Sequence, residues 1–372
     1  MSQGEIGRRW LFYAVNGLGL GHLSRTLALA RQIRQRSPRS QFLFLTTSEA
    51  EGILWQEGFA SVKVPSRMAA KPSGLRYGVY NRLLHTVVVN TISAFQPHVL
   101  VVDTFPAGSA QELLPVLRWD GKRVFIYREQ KQEVCGDPWF QQILALYDQI
   151  LIPHLPEDVA LPLPEGVPVC WTGPMLVRDR SEALNRESAC DRLGLSPDRP
   201  LLYVGFGGGG DPDYGDLLQW VLAQTALFPQ WQFVVAQPPL GRLTLGNLAQ
   251  IPNLSTIRHY PLAECWSAFQ GAISAAGYNS VAELLHHGVP TLWVPLQRGV
   301  DDQERRVDRL VAQGYGWRVD PLDGAALTAG LTALSQEPDR SAKLQALGSL
   351  KTQNGAVIAA DYLIQGLNGK PM

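Results

Sequence analysis

The chain has few cysteines and no long apolar run, and each shortage excludes a class of protein. Its 372 residues include four widely separated cysteines without C-x-x-C spacing. This argues against a zinc knuckle and a disulfide framework, and fits a reducing cytosol. No stretch of about 18 consecutive apolar residues is present, so we expect no membrane-spanning helix. The cysteines are Cys135, Cys170, Cys190 and Cys265.

The chain as a whole has no excess of positive or negative charge. No basic run with interleaved aromatic residues occurs, which argues against nucleic-acid binding. The net charge is zero, but residues 1–150 hold 17 Lys+Arg against 11 Asp+Glu, leaving 16 against 22 in residues 151–372. Such a split indicates that the two halves contact different partners.

What is present is a regular alternation of short apolar runs with helical patterns. Runs such as "WLFYAV", "QFLFLTT" and "HVLVVD" precede helical patterns at 23–36, 49–57 and 108–118, and the rhythm restarts at "PLLYVGF". This predicts an α/β protein with two doubly wound, Rossmann-like domains, residues 1–173 and 174–372, the second ending in a terminal helix. We expect ligands in a cleft between the carboxyl ends of the two sheets.

The loop "NGLGLGH", residues 16–22, joins the first predicted strand to the first predicted helix. Glycines at such a turn permit positive φ and let backbone N–H groups approach a ligand at the positive end of a helix. The dinucleotide fingerprint fails because His22 occupies the place of its third glycine, and the Walker pattern lacks G-K-[ST]. His22 is either a packing residue or a general base, since the imidazole pKa lies near working pH.

A second glycine loop, "GFGGGGDPD" at residues 205–213, follows the strand that opens the second half. It is either a flexible turn or a loop that approaches an anion or a sugar nucleotide closely. Asp211-Pro-Asp213 resembles a metal-binding D-x-D motif, but its glycine and proline neighbours favour turn chemistry. We predict no metal site.

The most informative stretch, residues 271–316, has Ser280 and Glu283 in S-x-x-E spacing at the start of a predicted helix. One interpretation is a capping box, in which the serine oxygen accepts from a backbone N–H and the glutamate reaches back to the cap. The other is a nucleotide site, in which Glu283 accepts from vicinal ribose hydroxyls and the helix N-terminus holds a diphosphate. The second interpretation also gives a role to Gln303, which would contact sugar hydroxyls.

With these motifs the chain resembles the GT-B glycosyltransferases, in particular glycosyltransferase family 28, the MurG-like group. It is also similar to bacterial predicted glycosyltransferases that open with G-x-G-H-x-x-R. The resemblance covers essentially the full length and is most specific in residues 16–25 and 271–316. It implies an N-terminal domain for the acceptor and a C-terminal domain for a nucleotide-sugar donor.

The resemblance also implies a donor site. Glu283 would hold the ribose, Gly277 and Ser280 would face the diphosphate, and Gln303 would touch the donor sugar. Arg306 stands where the family often has Asn, which leaves the donor sugar open. The implied donor-binding residues are Gly19, Gly207, Gly208, Tyr260, Leu262, Ser274, Gly277, Ser280, Glu283 and Gln303.

The resemblance places His22 beside the acceptor as the candidate base. Asp103, which ends "HVLVVD", either orients His22 or is itself the base. Arg128, after "VFIY", would neutralise the leaving diphosphate. An acid at the end of a strand is also a common helix cap, so Asp103 has a purely structural alternative.

A basic segment, residues 61–85, gives the first half much of its positive charge. It is either a solvated loop and helix face or a surface for an anionic membrane or an anionic acceptor. We therefore expect a cytoplasmic protein with peripheral contact at the inner face of the membrane. Its charged and apolar members are Lys63, Arg67, Lys71, Arg76, Arg82, Tyr77, Tyr80 and Leu83.

We predict a glycosyltransferase that moves a sugar from a nucleoside-diphosphate donor, a UDP-sugar, to an acceptor hydroxyl, with inversion and without metal or cofactor. The nucleotide sugar is a substrate, and the acceptor is of lipid or anionic character. Two alternatives remain. A UDP-sugar 2-epimerase of the same fold would use acids such as Asp103, Glu129 and Glu133. A sugar-nucleotide-binding protein would have lost turnover.

Overall fold

The protein forms two α/β units. The computed structural model describes residues 7–15, 20–207, 214–237, 251–297, 301–350 and 352–367. The first unit contains the described residues up to Val177 together with those from Gln353 onward, and the second contains those from Arg178 to Thr352. Each unit has its own parallel sheet, as expected for two Rossmann-like domains.

The first unit is built on seven parallel strands. They are β1 (Arg9–Ala14), β2 (Gln41–Thr46), β3 (Ala60–Lys63), β4 (Val99–Asp103), β5 (Lys122–Ile126), β6 (Gln149–Ile152) and β7 (Val169–Trp171). Their order in the sheet is β3-β2-β1-β4-β5-β6-β7, so the order reverses between β1 and β4. Leu11, Phe12 and Tyr13 are fully buried, because a parallel sheet of this kind is covered on both faces.

Six helices accompany these strands in the described part of the chain before Val177. They are α1 (Gly21–Arg36), α2 (Gly52–Gln56), α3 (Arg67–Ala70), α4 (Tyr77–Phe95), α5 (Gln132–Cys135) and α6 (Pro138–Leu144). The helix predicted at 108–118 is wrong, since this segment forms turns. The carboxylate of Glu112 accepts from the backbone N–H groups of Ser109 (2.9 Å) and Ala110 (2.6 Å), and so stabilises a turn instead.

The second unit repeats the arrangement with six parallel strands. They are β8 (Leu201–Gly205), β9 (Gln232–Ala236), β10 (Leu254–Ile257), β11 (Phe269–Ala275), β12 (Thr291–Val294) and β13 (Trp317–Arg318). The order β10-β9-β8-β11-β12-β13 reverses between β8 and β11. Phe233 and Val235 belong to one apolar cluster and Val234 to another, so both faces of this sheet are covered.

The helices of the second unit follow the strands in the same α/β rhythm. They are α7 (Arg186–Leu193), α8 (Tyr214–Leu222), α9 (Tyr278–His287), α10 (Gln303–Ala312), α11 (Gly324–Ser335) and α12 (Asp339–Ser349). A 3-10 helix, Leu262–Ala268, precedes β11. No helix in the described ranges is long and apolar enough to cross a membrane.

The terminal helix α13 (Gly355–Leu367) corrects the predicted domain division, because it belongs to the first unit rather than the second. Its small buried side chains Ala356, Ala359 and Ala360 allow close packing, and α13 contacts α1. Just before the helix, Asn354 Oδ1 accepts from the N–H of Leu176 (3.0 Å), and its Nδ2 donates to the Leu176 carbonyl (2.9 Å).

Candidate active site

The carboxyl edge of the first sheet carries the predicted catalytic residues. His22 is the second residue of α1, which follows β1, and Asp103 is the last residue of β4. The strand order reverses between β1 and β4, and open α/β sheets bind ligands at such reversal points. The fold therefore brings His22 and Asp103 together at a binding position. Gly19 lies outside the described residues.

His22 and Asp103 form a buried hydrogen-bonded pair. The Nδ1 atom of His22 lies 2.6 Å from Oδ2 of Asp103, and Asp103 is fully buried. The His22 ring also stacks on Phe105, with ring centroids 5.4 Å apart. Because a carboxylate can only accept, Nδ1 donates and the lone pair of the neutral ring is on Nε2. This is the tautomer that a general base requires.

Asp103 is held by two further side chains. Arg25 donates from Nε to Oδ1 (3.0 Å) and from Nη2 to Oδ2 (2.7 Å), and the Thr104 hydroxyl donates to Oδ2 (3.0 Å). Thr104 has a φ of 66°, a strained value for a β-branched residue and one that tends to cluster at functional sites. Sequence reasoning did not identify Thr104, and it included Arg25 only as the arginine of the G-x-G-H-x-x-R opening, without a role. The available signal was the spacing of His22 and Arg25, one helical turn apart.

Burial and two nearby positive charges keep the His22 ring neutral. Burial lowers the pKa of His22, and the opposing effect of Asp103 is reduced by the positive charges of Arg25 and Arg128. Burial also acts to raise the pKa of Asp103, but Arg25 and His22 outweigh it and hold that pKa well below its usual range. At neutral pH the pair is therefore an ionised carboxylate and an unprotonated imidazole.

Arg128 lies after β5 at the same edge of the sheet. It is half-buried, and its charge acts on the His22 ring. The neighbouring Glu129 donates its backbone N–H to Nε2 of His154 (2.9 Å), a buried residue that follows β6. His22, Asp103, Arg128 and His154 thus lie at the carboxyl ends of four adjacent strands, where the strand pattern of the sequence placed Asp103 and Arg128.

In the second unit, the start of α9 follows β11 at the point where the second sheet reverses its order. Gly277 is the N-cap residue, no side chain caps the helix, and its first turn has no acidic residue. Gly277 has an ordinary φ of −63°, and a Cβ there would meet no atom of the described residues within 4 Å. A glycine at this N-cap allows a ligand to approach the backbone N–H groups of the helix closely.

Glu283 does not form the predicted capping box, so that interpretation is wrong. Ser280 is the third residue of α9 rather than its cap. The Glu283 carboxyl group instead accepts from Nε1 of Trp266 (3.3 Å), which the 3-10 helix brings against α9. Burial raises the pKa of Glu283 to about 7, and the Trp266 hydrogen bond opposes this only in part. Trp266 was not predicted from the sequence.

Gln303 makes a hydrogen bond within the second unit. It is the first residue of α10 and is buried; its Oε1 accepts from the N–H of Leu296 (3.0 Å). Asp301, next to it in space, accepts two hydrogen bonds from Arg306, whose Nη1 also donates to the Ala276 carbonyl (2.8 Å). The Arg306 hydrogen bond holds the Ala276 carbonyl next to Gly277, while Oε1 of Gln303 is used within the unit, so contact of Gln303 with a donor sugar stays a prediction.

The other predicted donor residues divide into three groups. Gly207 follows β8 with a φ of 101°, which favours glycine, and Gly208 lies outside the described residues. Tyr260 is half-buried and lies two residues before the 3-10 helix that contacts α9, and Leu262 is buried as the first residue of that helix. Ser274 is wrong as a direct contact, because it is buried in β11 and its hydroxyl donates to the Ala275 carbonyl (3.0 Å).

One cluster in the described ranges has metal-binding residue types, His259, Glu264 and Cys265. Glu264 already accepts from Arg178 (3.3 Å) and Arg192 (2.7 Å). Burial, with the Glu264 charge, raises the pKa of Cys265 to about 11, so its thiolate is disfavoured. Two guanidinium groups and a protonated thiol are a poor arrangement for a cation, and we assign no metal to this cluster.

Known glycosyltransferases are similar to this chain in sequence and in fold. Residues 245–356 match the glycosyltransferase family 28 C-terminal domain. A UDP-N-acetylglucosamine--N-acetylmuramyl-(pentapeptide) pyrophosphoryl-undecaprenol N-acetylglucosamine transferase of Clavibacter michiganensis subsp. michiganensis is 23% identical over 97% of this chain and 98% of its own length. The enzyme of the same name from Frankia casuarinae is 29% identical, and there the match spans 52% of this chain and about half of the relative, 53%.

Solved structures share the fold. The glycosyltransferase of kitacinnamycin superposes with a TM-score of 0.67 at 17% identity, covering 97% of this chain and all of that one. These similarities favour a glycosyltransferase over the 2-epimerase alternative. The two Rossmann-like units, the family 28 C-terminal domain and the full-length relative together identify this chain as a GT-B glycosyltransferase similar to family 28.

Proposed function

We propose that the protein transfers a sugar from a UDP-sugar to an acceptor hydroxyl, with His22 as the base. The observation that carries this proposal is the 2.6 Å hydrogen bond between Nδ1 of His22 and the buried Asp103 carboxylate. It fixes the tautomer that has a lone pair on Nε2, and burial lowers the pKa of His22 so that this lone pair is available at neutral pH. Asp103 orients the ring and is not the base, because its pKa is held too low.

The reaction is a single displacement. Nε2 of His22 takes the proton of the acceptor hydroxyl as its oxygen attacks the anomeric carbon. The bond from that carbon to the diphosphate breaks, and the electron pair leaves with the diphosphate, so the configuration inverts. Within the second unit, the N-terminus of α9 is the positive group that stabilises the leaving charge, and no metal takes part.

The second unit holds the donor. Glu283 is one turn and a half into α9 and has no cationic partner among the contacts described for it, so its carboxyl group is available to ribose hydroxyls. Gly277 and Ser280, at the start of the same helix, face the diphosphate. The choice of uridine as the base rests on the full-length relative, whose name specifies a UDP-sugar.

A comparison of UDP with 2′-deoxy-UDP tests the donor site directly. A hydrogen bond to a charged acceptor contributes about 1.5–3 kcal/mol. We therefore expect 2′-deoxy-UDP to bind roughly 10- to 100-fold more weakly than UDP by titration calorimetry. In Glu283→Ala the two nucleotides should bind alike. Equal binding of both nucleotides to the unaltered protein would remove Glu283 from the ribose site.

Turnover tests the base separately. With a UDP-sugar and a lipid-linked acceptor extract, His22→Gln should lose at least about 100-fold in the rate of UDP release, while its affinity for UDP is unchanged. EDTA should leave the rate of the unaltered protein unchanged, and the product should have the inverted anomeric configuration. Release of UDP at the same rate by His22→Gln would contradict the assignment.

We also propose that α3 and α4 of the first unit contact an anionic membrane surface that carries the acceptor. No acidic residue occurs from 58 to 102. Within this range Met68 is 55% and Tyr77 is 61% exposed, and Arg67, Lys71 and Arg76 are exposed nearby in the sequence. Exposed apolar side chains among cations are the pattern of an interfacial contact. The relative's printed acceptor, a pyrophosphoryl-undecaprenol, agrees with such a surface.

Sedimentation with vesicles tests this surface. The protein should bind phosphatidylglycerol vesicles, bind phosphatidylcholine vesicles much less, and be released by 1 M salt because the Debye length falls to about 3 Å. The double variant Met68→Ser, Arg76→Ser should lose most of the binding. Leu227, 62% exposed in the second unit, provides the control, and Leu227→Ser should bind normally. Equal loss in both variants would contradict the surface.

A further inference from the structure

Arg25 is a buried charge that the proposed reaction does not yet use. It lies three residues after His22 on α1 and is only 2% exposed. Full burial of a guanidinium is costly unless it is paired and hydrogen-bonded. Here its Nε and Nη2 donate to both oxygens of Asp103, and Nη2 also lies 3.2 Å from the hydroxyl oxygen of Thr104.

The geometry fixes the plane of the carboxylate. Oδ2 of Asp103 accepts from His22, Arg25 and Thr104, whereas Oδ1 accepts from Nε of Arg25. A two-point contact of this kind prevents rotation of the carboxylate, which a single hydrogen bond from His22 would allow. The orientation of Oδ2, and through it the direction of the His22 ring, therefore depends on Arg25.

The charge of Arg25 also changes the chemistry of the pair. An isolated aspartate beside a histidine favours the imidazolium, because the two charges attract. Here Arg25 cancels the charge of Asp103, so the buried trio is neutral only while His22 is unprotonated. The charged groups that act on His22 are Asp103 from β4, Arg25 from α1 and Arg128 from the end of β5.

We propose that Arg25 is a positioning residue for the transfer reaction, which clamps Asp103 so that His22 stays neutral with Nε2 directed at the acceptor. The proposal rests on the proposed function of His22 as the base. The competing explanation is that Arg25 only ties α1 to β4 as a structural ion pair. The two explanations differ in what they predict for the His22 ring.

Nitrogen NMR of ¹⁵N-histidine-labelled protein tests this without any substrate. His22→Gln assigns the signal, and Arg25→Gln and Arg25→Lys are the test variants. In the unaltered protein His22 should be the Nδ1–H tautomer and should titrate below about pH 6.5. In Arg25→Gln its titration should move up by at least about one pH unit. Arg25→Lys retains the positive charge but loses the two-point contact with Asp103. The pKa of His22 should therefore stay low, while the ring becomes a mixture of Nδ1–H and Nε2–H tautomers.

The outcomes separate the proposals. An unchanged tautomer and titration in both variants, with only a lower melting temperature, would overturn the role of Arg25 and leave His22 as the base. If Arg25→Gln does not fold, Arg25→Lys alone tests the proposal. A single His22 tautomer in Arg25→Lys would overturn it. An Nε2–H tautomer in the unaltered protein would instead contradict His22 as the base, whatever Arg25 does.

Discussion

The pKa of the Glu283 carboxyl group lies near neutral pH. Burial raises its pKa to about 7, and Trp266 supplies a single hydrogen bond that opposes this shift. Ribose hydroxyls that donate to the carboxylate would stabilise the charged form. Binding of a nucleoside should therefore lower the pKa of Glu283 and release a proton near neutral pH.

This makes nucleoside affinity depend on pH. Uridine is the suitable probe, since it has no phosphate that titrates in this range. Its affinity should rise by up to roughly tenfold from pH 6 to pH 8, because the carboxyl group changes from mostly protonated to mostly ionised. Chemical-shift titration at several pH values measures it. Glu283→Gln should show no such rise, and an equal rise in that variant would assign the effect to another group.

At the residue scale the sequence predicted the reactive side chains better than their supports. His22 was identifiable because it ends the glycine loop between a strand and a helix. Asp103 was identifiable because it is the last residue of an apolar strand. The roles of Arg25, Thr104 and Trp266 were not predicted, because they arise from contacts across 17 to 79 residues of chain. Gln303 was assigned to the ligand, yet its amide is used to bond Leu296.

At the scale of elements, the loop after β4 shows why local patterns mislead. Its sequence predicts a helix over 108–118. The Glu112 carboxylate instead accepts hydrogen bonds from the Tyr13 hydroxyl of β1 and from the backbone N–H groups of the turn. The same loop carries Phe105 against His22. A buried long-range contact thus outweighs local helix propensity, which one sequence does not reveal.

The attachment of α13 to the first unit depends on Asn354. This residue is buried, and its side chain bonds both backbone groups of Leu176. Asn354→Ala would leave these groups unpaired at a cost of about 1–3 kcal/mol each. We expect its urea midpoint to fall clearly, whereas Gln353→Ala, at the exposed neighbouring position, should unfold like the unaltered protein. Equal midpoints for the two variants would contradict this role.

At the scale of the whole molecule, buried histidines make stability depend on pH. Burial, with the charges of His286 and Arg180, lowers the pKa of His287 to about 4, and burial lowers those of His286 and His22 as well. An unfolded histidine has a pKa of about 6.5. At these histidines the unfolded state binds more protons than the folded state between pH 6.5 and 4, so their contribution to the free energy of unfolding falls as the pH falls. The raised pKa of Glu283 acts in the opposite direction.

Urea unfolding at pH 7.5, 6 and 5 measures this dependence. His287→Gln should lose part of the decrease, on the order of 1 kcal/mol after allowance for solvent screening. The comparison uses the change between pH values within each protein, so that any constant effect of the substitution cancels. The same decrease in His287→Gln as in the unaltered protein would show that His287 is not responsible.

The division into two units predicts that a fragment of the second unit is more stable than a fragment of the first. The second unit is one continuous segment with its own sheet and apolar clusters, whereas the first requires residues on both sides of it. A fragment of residues 178–352 should unfold cooperatively in urea and bind UDP within about tenfold of the full chain. Residues 1–177 alone should be much less stable. Failure of the 178–352 fragment to fold would contradict this independence.

The return of α13 to the first unit also sets an order of events during synthesis. Residues 178–352 leave the ribosome before residues 353–367, which the first unit needs to cover α1. Domains commonly fold as they emerge, at about 5–20 residues per second. The second unit should therefore finish folding before the first unit, which carries His22 and lacks α13 until the end of synthesis. This reverses the usual order, in which the amino-terminal domain finishes first.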